Sequence, residues 1–418
     1  MTVAITNLKD LIQPGYDPEW GNPRFLDSEG QPVAGIYADV ENDDYHAIPA
    51  LSSSKLKKFS SSPALYYREY VAPLNRNKIA SSVKAFAAGT LTHGLVLEPE
   101  RCNDLYWYHL NPADHPTALH TVDDIKAAIT AAGHKPKGTR KSDFIEQLRA
   151  VAPEVADTVF DELANRHLMT WLRSRNLPWM KPDLAKMPDV IQTIEQAYEL
   201  CAAKGITPVS DQFDDLVVQL VDADPETHTV AKAIADWELG VFALPQCQAL
   251  LDEFVLDPIT YQDGHRARQT VRKHVRANSL LQNGVAELTM IAQDPETGLW
   301  VKAKFDWLRY DLISVDLKTT RDTEPDRSSY QFRDLGYDLQ DAFYCHVASL
   351  LGINIRAFCF VCVEFADMDN CEVYELSERV RSRAEQRRRG LMQELQSCIA
   401  RDFWYGYNPS QTTMVLDW

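Results

Sequence analysis

Between residues 284 and 320 the chain reads G-V-A-E-L-T-M-I-A-Q-D-P-E-T-G-L-W-V-K-A-K-F-D-W-L-R-Y-D-L-I-S-V-D-L-K-T-T, and it holds Glu287, Asp306, Asp316 and Lys318 at spacings that strands can aim at one point. Pro295-Glu296-Thr297-Gly298 is a turn signal between two runs of alternating apolar residues. If Asp294 and Leu299 close that turn, the ladder counts back to Glu287 opposite Asp306. Side chains on a strand alternate faces, so Lys302, Lys304 and Asp306 share one face and Asp316 and Lys318 share another. A second turn near Tyr310-Asp311 brings Asp316 level with Asp306. Carboxylates so crowded repel one another unless a cation sits between them, and hard oxygen donors suit Mg²⁺, with Mn²⁺ as a substitute. Acids that hold such an ion stabilise charge on a phosphate and acidify a water, while a lysine two residues on stabilises the attacking hydroxide. That chemistry is phosphodiester hydrolysis. An acid, a second acid, one residue and a lysine is also a short pattern found on ordinary solvated hairpins, so the elements around it must decide.

At 418 residues and 45% apolar content the chain has room for two or three domains with proper cores. The start M-T-V-A-I-T-N-L-K-D lacks the basic and apolar regions of a signal peptide, and no apolar run reaches spanning length, so a soluble cytoplasmic protein with no membrane partner is expected. Eight cysteines in so long a chain do not make a disulfide framework. Cys359-x-x-Cys362 with Cys371 could be read as an iron–sulfur site. However, A-F-C-F-V-C-V-E-F has the composition of a buried strand and an offset of three places its cysteines on opposite faces, so core packing is expected. The net charge of −17, from 43 basic and 60 acidic residues, argues against a surface coated with phosphate-binding groups and confines any nucleic-acid contact to a local positive channel.

Residues 1–34 are polar and rich in Pro, Gly and Asp, as in an extended or loosely docked segment. Ser52 or Ser53 can cap a helix beginning near Ser54, and Ser62-Pro63 can start another. A-F-A-A-G-T-L-T-H-G-L-V-L-E-P-E has the spacing of a helix that ends before Pro99 and carries His93 in its interior. A strand follows at 357–365, and R-V-R-S-R-A-E-Q-R-R-R-G puts Arg379, Arg381, Arg383, Arg387, Arg388 and Arg389 on a later helix. A solvated face is the default for such arginines, and proximity to a cleft would make them backbone contacts.

G-I-Y, D-Y-H, L-S-x-S-K-L, S-P-A-L-Y and G-T-L-T-H-G-L-V-L-E-P-E, then D-P-E-T-G, K-F-D, V-D-L-K-T-T and Y-D-L-Q-D-A-F-Y, resemble in order the nuclease domain of the RecE (exonuclease VIII) family, within the PDDEXK restriction-endonuclease-like superfamily. The resemblance spans 35–110 and 254–418. It implies an α/β (α+β) fold with an αβββαβ core and a mixed central sheet flanked by helices, and the segment between the two matching blocks, 111–253, reads as a helical insertion. It places His93 at the family's active-site histidine, Asp306 and Asp316 at its metal-binding acids, Lys318 at its catalytic lysine, and Gln340 and Tyr344 at its Q-x-x-x-Y motif, with the Leu317 carbonyl as a further ligand. Glu287 rests mainly on the ladder count. Gln340 and Tyr344, one helical turn apart, can address a phosphate or support the lysine together, or form the polar edge of a buried helix. The implied activity is a Mg²⁺-dependent double-strand DNA exonuclease, working 5′ to 3′ on DNA ends and leaving a 3′ single strand for recombination. A ring-shaped homo-oligomer, a single-strand annealing partner and a phage or prophage setting are implied in the same way. The alternatives are an endonuclease or phage-defence nuclease on the same core, and a catalytically idle DNA-binding subunit.

The insertion departs from that family. In T-V-D-D-I-K-A-A-I-T-A-A-G-H-K-P-K-G-T-R-K-S-D-F-I-E-Q-L-R-A, residues 121–150, Thr121 can cap a helix stopping at Gly133 and Ser142 can cap a second. The pair resembles a helix-extended-loop-helix or SAP-like module, whose loop cations Lys135, Lys137, Arg140 and Lys141 would meet DNA phosphates or simply be solvated. The loop lacks the Gly-Lys-Ser/Thr spacing and preceding strand of a nucleotide-binding P-loop. Trp171, Trp179 and Trp237 are expected as core or docking aromatics.

Overall fold

A computed structural model describes residues 7–73, 81–103, 105–175, 177, 194–208, 216, 219–220, 240–242, 244–365, 369–410 and 412–415. The described chain divides into two compact units, one from Met1–Asp104 with Gln262–Trp418 and one from Leu105–Tyr261.

The first unit is built on a seven-stranded mixed sheet whose strands lie side by side in chain order. They are β1 (Ile12–Pro14), β2 (Gly35–Ala38), β3 (Gly284–Gln293), β4 (Trp300–Arg309), β5 (Ile313–Thr320), β6 (Ala357–Glu364) and β7 (Cys371–Glu375). Pairing is antiparallel between β2 and β3 and through the β3–β4–β5 meander, parallel between β5 and β6, and antiparallel again to β7. Gly298, at φ +72°, closes the β3–β4 turn with the left-handed conformation that glycine adopts without strain. Asp294 accepts from Thr297 N and Oγ1, fixing that turn.

Helices cover both faces. α1 (Ser53–Ser61) starts where its serines allow, with the Ser52 side chain accepting from Lys55 N. α2 (Ser81–Leu97) carries His93 and ends before Pro99. In the second unit α3 (Val122–Ala131) and α4 (Lys141–Val151) pair, and the first unit resumes with α5 (Pro325–Asp334), α6 (Tyr337–Leu350) and α7 (Glu378–Arg401). On one face Leu56 and Phe59 of α1, Phe343 and Val347 of α6 and Met392 of α7 bury against Met290, Ala303, Phe305 and Phe360. On the other, Val96 and Leu97 of α2 bury against Val315, Leu317, Cys359 and Val361. Each Val, Leu, Phe or Met among them removed from water stabilises the unit by roughly 1.5–3 kcal/mol, and together they fix where the polar residues of β3 to β5 must lie. The order helix, three strands, helix, strand from α2 to β6 is αβββαβ, with a mixed central sheet between helices.

Four expectations are changed. From residue 7 on, the N-terminal segment is not loosely docked: Leu8 and Phe25 are each 1% exposed, and β1 extends the sheet parallel to β2. Phe25 and Tyr16 supply apolar anchors that the polar composition around them conceals. Helix α4 begins at Lys141 rather than after Ser142, because Asp143 accepts from the backbone of Thr139 and Arg140 and so caps the end from inside. The arginines of α7 are not simply a solvated face. Arg381 pairs with Asp341, Arg387 with Asp338, Arg388 with Glu385 and Arg389 with Glu296. Finally, strict alternation along β3 and β4 fails at the residues of most chemical interest, as set out below.

In the second unit Thr121 and Asp124 form the reciprocal cap that starts α3, and Gly133 follows the helix at φ +85°. Ile125, Ile129, Phe144 and Leu148 close α3 on α4. Trp171 is buried beside Leu172 and Leu251, while Trp179 and Trp237 lie outside the described residues. Cys359, Cys362 and Cys371 are buried and free, with Cys359 and Cys362 in different core clusters. Among the described residues no helix is long and apolar enough to cross a membrane.

Candidate metal centre and active site

The β3–β4 ladder runs in one register from Gly284↔Arg309 to Gln293↔Trp300, and in that register Glu287 falls opposite Asp306. The pairing is interrupted at that position. Glu287 sits at φ +50°, a conformation a non-glycine side chain adopts only at a cost of order 1–3 kcal/mol. Leu288 and Met290 join one core cluster whereas Ala286 joins the other, and across the sheet Phe305 and Leu308 join the first whereas Trp307 joins the second. Both strands therefore change facing together at Glu287 and Asp306.

The β4–β5 ladder stops at the same level. Trp307↔Val315 and Leu308↔Ser314 pair, and the next step would set Asp306 against Asp316. There the strands part, and the Asp306 Oδ2 accepts from Leu317 N at 2.9 Å. The side chain takes over a backbone hydrogen bond, which fixes its carboxylate at the mouth of the gap.

His93 reaches this gap from α2. Its Nε2 lies 2.8 Å from the Leu317 carbonyl oxygen, so the proton belongs on Nε2, and its Nδ1 faces Asp306 Oδ2 at 3.7 Å. One donor atom each from His93, Glu287 and Asp306 lie within 4.8 Å of one another. Lys304 holds Glu287 from the other side at 3.1 Å. The Leu317 carbonyl, expected as a further ligand, accepts from His93 here and keeps its second lone pair.

Beside this triad lies a second set. Lys318 Nζ meets Asp316 Oδ2 at 2.5 Å, and Gln340 Nε2 of α6 donates to Asp316 Oδ1 at 2.6 Å. Tyr344, one turn further on, is buried, packed edge-on against Phe305 and Phe358, with Ser53 as its side-chain hydrogen-bond partner. Lys57 of α1, which the sequence did not single out, donates from Nζ to Gln340 Oε1 at 3.1 Å. A lysine in S-S-S-K-L-K-K-F looks solvated, and only the i, i+3 spacing of Leu56 and Phe59 tells which face of α1 is buried.

Burial and mutual repulsion set the electrostatics of the gap. Burial, and then the neighbouring Asp316, raise the Asp306 carboxyl well above the usual range. Burial and then Asp306 raise Glu287. Burial, followed by Lys318, lowers His93 and favours the neutral imidazole, which is the ligating form. Burial alone would lower Lys318, but Asp316 and Asp306 outweigh it and hold the ammonium above its ordinary value. Two repelling carboxylates with a neutral imidazole and a carbonyl fit a divalent cation of the Mg²⁺ or Mn²⁺ kind.

In the second unit Lys135 and Lys137 are exposed, on a loop whose backbone is tied to Gln147. Arg140 is turned onto Asp143, and Lys141 is committed to Asp161 and the His120 carbonyl.

An αβββαβ core that gathers acids around the gap between its second and third strands, with a lysine two residues after the last acid, is the arrangement of the PDDEXK nucleases. Residues 254–409 match the family model described as a PDDEXK-like domain of unknown function (DUF3799). That segment contains Glu287, Asp306, Asp316, Lys318 and Gln340, while His93 lies outside it. No curated protein matches the chain. Among solved structures, a protein from Eubacterium rectale provisionally described as an exonuclease is similar at 13% identity, over 51% of this chain and 86% of that one, with a TM-score of 0.29. The family match supports a PDDEXK-like domain over residues 254–409.

Proposed function

We propose that the chain is a divalent-cation-dependent deoxyribonuclease, acting from the 5′ end of double-stranded DNA to leave a 3′ single strand. The observation that carries the nuclease reading is the convergence of His93, Glu287 and Asp306 within 4.8 Å, beside the Asp316–Lys318 pair. Mg²⁺ is the expected ion, with Mn²⁺ as substitute. Held by His93, Glu287 and Asp306, with Asp316 and the Leu317 carbonyl close by, it would neutralise charge on the scissile phosphate and acidify a water. Lys318, kept cationic by Asp316 and Asp306, acts as a fixed positive charge beside the attack rather than as a base. Glu287 keeps Lys304 close, Asp306 locks the strand gap, and Gln340 holds Asp316.

The 5′-to-3′ polarity, the preference for ends, a ring of identical subunits, a single-strand annealing partner and a cytoplasmic recombination role rest on the motif resemblance to the RecE family. End-labelled linear duplex and covalently closed circles incubated together with Mg²⁺ test the reading. Loss of linear DNA from the 5′ ends with intact circles is expected, and cut circles would move the assignment to an endonuclease. Asp316→Ala should lower cleavage at least about a thousandfold, since several kcal/mol of transition-state stabilisation is removed. A variant that still digests duplex normally would sink the site assignment.

A further inference from the structure

Lys57 is linked to the site through one amide. Gln340 is 6% exposed and Asp316 1%, so neither can exchange a lost partner for bulk water. A side-chain amide can present oxygen or nitrogen to a neighbour, and toward Asp316 only the nitrogen is useful, because an ionised carboxylate only accepts. Burial, and then Lys318, lower the Lys57 ammonium to about 8, and below that pH it only donates, so Nζ at 3.1 Å from Gln340 Oε1 permits a single orientation of that amide. Gln340 Nε2 is then aimed at Asp316 Oδ1, which leaves Oδ2 to Lys318. The chain Lys57, Gln340, Asp316, Lys318 crosses α1, α6 and β5, and both lysines lie over the Tyr337 ring, at 5.2 and 4.9 Å.

We propose that Lys57 is a positioning residue for Asp316, acting through Gln340. Lys57 fixes the orientation of an amide that in turn fixes the second acid of the site. It needs no contact with DNA to do so. The proposal rests on the nuclease reading only for its kinetic readout; its geometric content concerns the carboxylate alone.

The test is a double-substitution cycle with Lys57→Met, Gln340→Leu and both together, read in two ways. In cleavage of linear duplex, each single change should lower kcat about tenfold, the lower end of what loss of a ligand-orienting partner costs, with KM unchanged. The double variant should be no worse than either single one. In titration of Mn²⁺ without DNA, followed by calorimetry, the same three variants should weaken binding by one shared factor, and Lys57→Arg should restore most of it. Additive losses would overturn the proposal, since they make the two residues independent. So would raised KM with a salt slope shallower by about one, the mark of a direct phosphate contact. A lower melting temperature with kcat and Mn²⁺ affinity untouched would overturn it as well, leaving Lys57 a pin between α1 and α6. If the wild type cuts no DNA while the Mn²⁺ cycle is non-additive, the nuclease reading fails and the positioning role stands.

Discussion

Lys302 and Lys304 stand two residues apart on one strand, and burial treats them differently. Lys304 neutralises Glu287 beside the site. Lys302 is 1% exposed and gives its protons to the carbonyls of Tyr45, His46 and Ile48, at the C-terminal end of the helix Asn42–Ala47. Alternation correctly put both on one face, but composition gave no sign that one of them caps a helix. Burial, and then Lys55, push the Lys302 ammonium down to about 7 from 10.5. The unfolded chain therefore holds this proton over a range where the folded one releases it, so Lys302 makes stability rise with pH from about 7 to 10.5 and fall on the way back. Compared with Lys302→Met, wild type should gain in relative unfolding free energy by up to about 1.4 kcal/mol per pH unit between pH 7 and 9. Denaturant titrations across that range would show it, and a constant difference would mean that the three carbonyls keep the ammonium charged.

At the scale of elements, the meander β3–β4–β5 was legible because its turn is written in the sequence. Pro295-Glu296-Thr297-Gly298 sets the register, and register alone puts Glu287 opposite Asp306. What could not be read is the change of facing at that level, since E-L-T contains no glycine or asparagine to announce a left-handed residue. The strain at Glu287 is carried by the pairing on either side and by Lys304, not by local preference. This has a consequence that ordinary strand propensity reverses. Glu287→Gln, which keeps a polar partner for Lys304, should leave stability within about 1 kcal/mol and abolish most cleavage. Glu287→Val, a better strand former, should cost about 2 kcal/mol or more, because a β-branched side chain is an outlier at φ +50°. Urea midpoints of the two variants in chelator decide it: a Val variant as stable as wild type would mean that the backbone there is regular. Helix positions are equally legible from caps at Ser52 and Thr121, whereas α4 starts two residues before a Ser142 cap would set it, because Asp143 outcompetes Ser142 for the cap.

For the whole molecule, charge limits how the proposed DNA substrate could be held. The excess of 60 acidic over 43 basic residues leaves little for phosphate, and α7 turns Arg381, Arg387, Arg388 and Arg389 onto its own acids and those of its neighbours. An arginine run in sequence shows the positive charges but not the carboxylates that meet them. The same distinction separates the four loop cations of the second unit. Lys141 is tied to Asp161 and Arg140 to Asp143, whereas Lys135 and Lys137 are exposed on a backbone fixed by Gln147. If that loop touches DNA, those two lysines are the ones that displace counterions, each contributing about 0.9 to the slope of log affinity against log salt. Replacing Lys135 and Lys137 together by alanine should therefore flatten the slope by roughly two and weaken binding most at low salt. Lys141→Ala should leave the slope alone and cost about 0.5 kcal/mol of stability through its lost ion pair. Fluorescence titrations of a labelled duplex at several salt concentrations, in Ca²⁺ to hold cleavage off, separate the two outcomes. An unchanged slope in the Lys135/Lys137 variant would make the loop a solvated connector and confine DNA contact to the first unit.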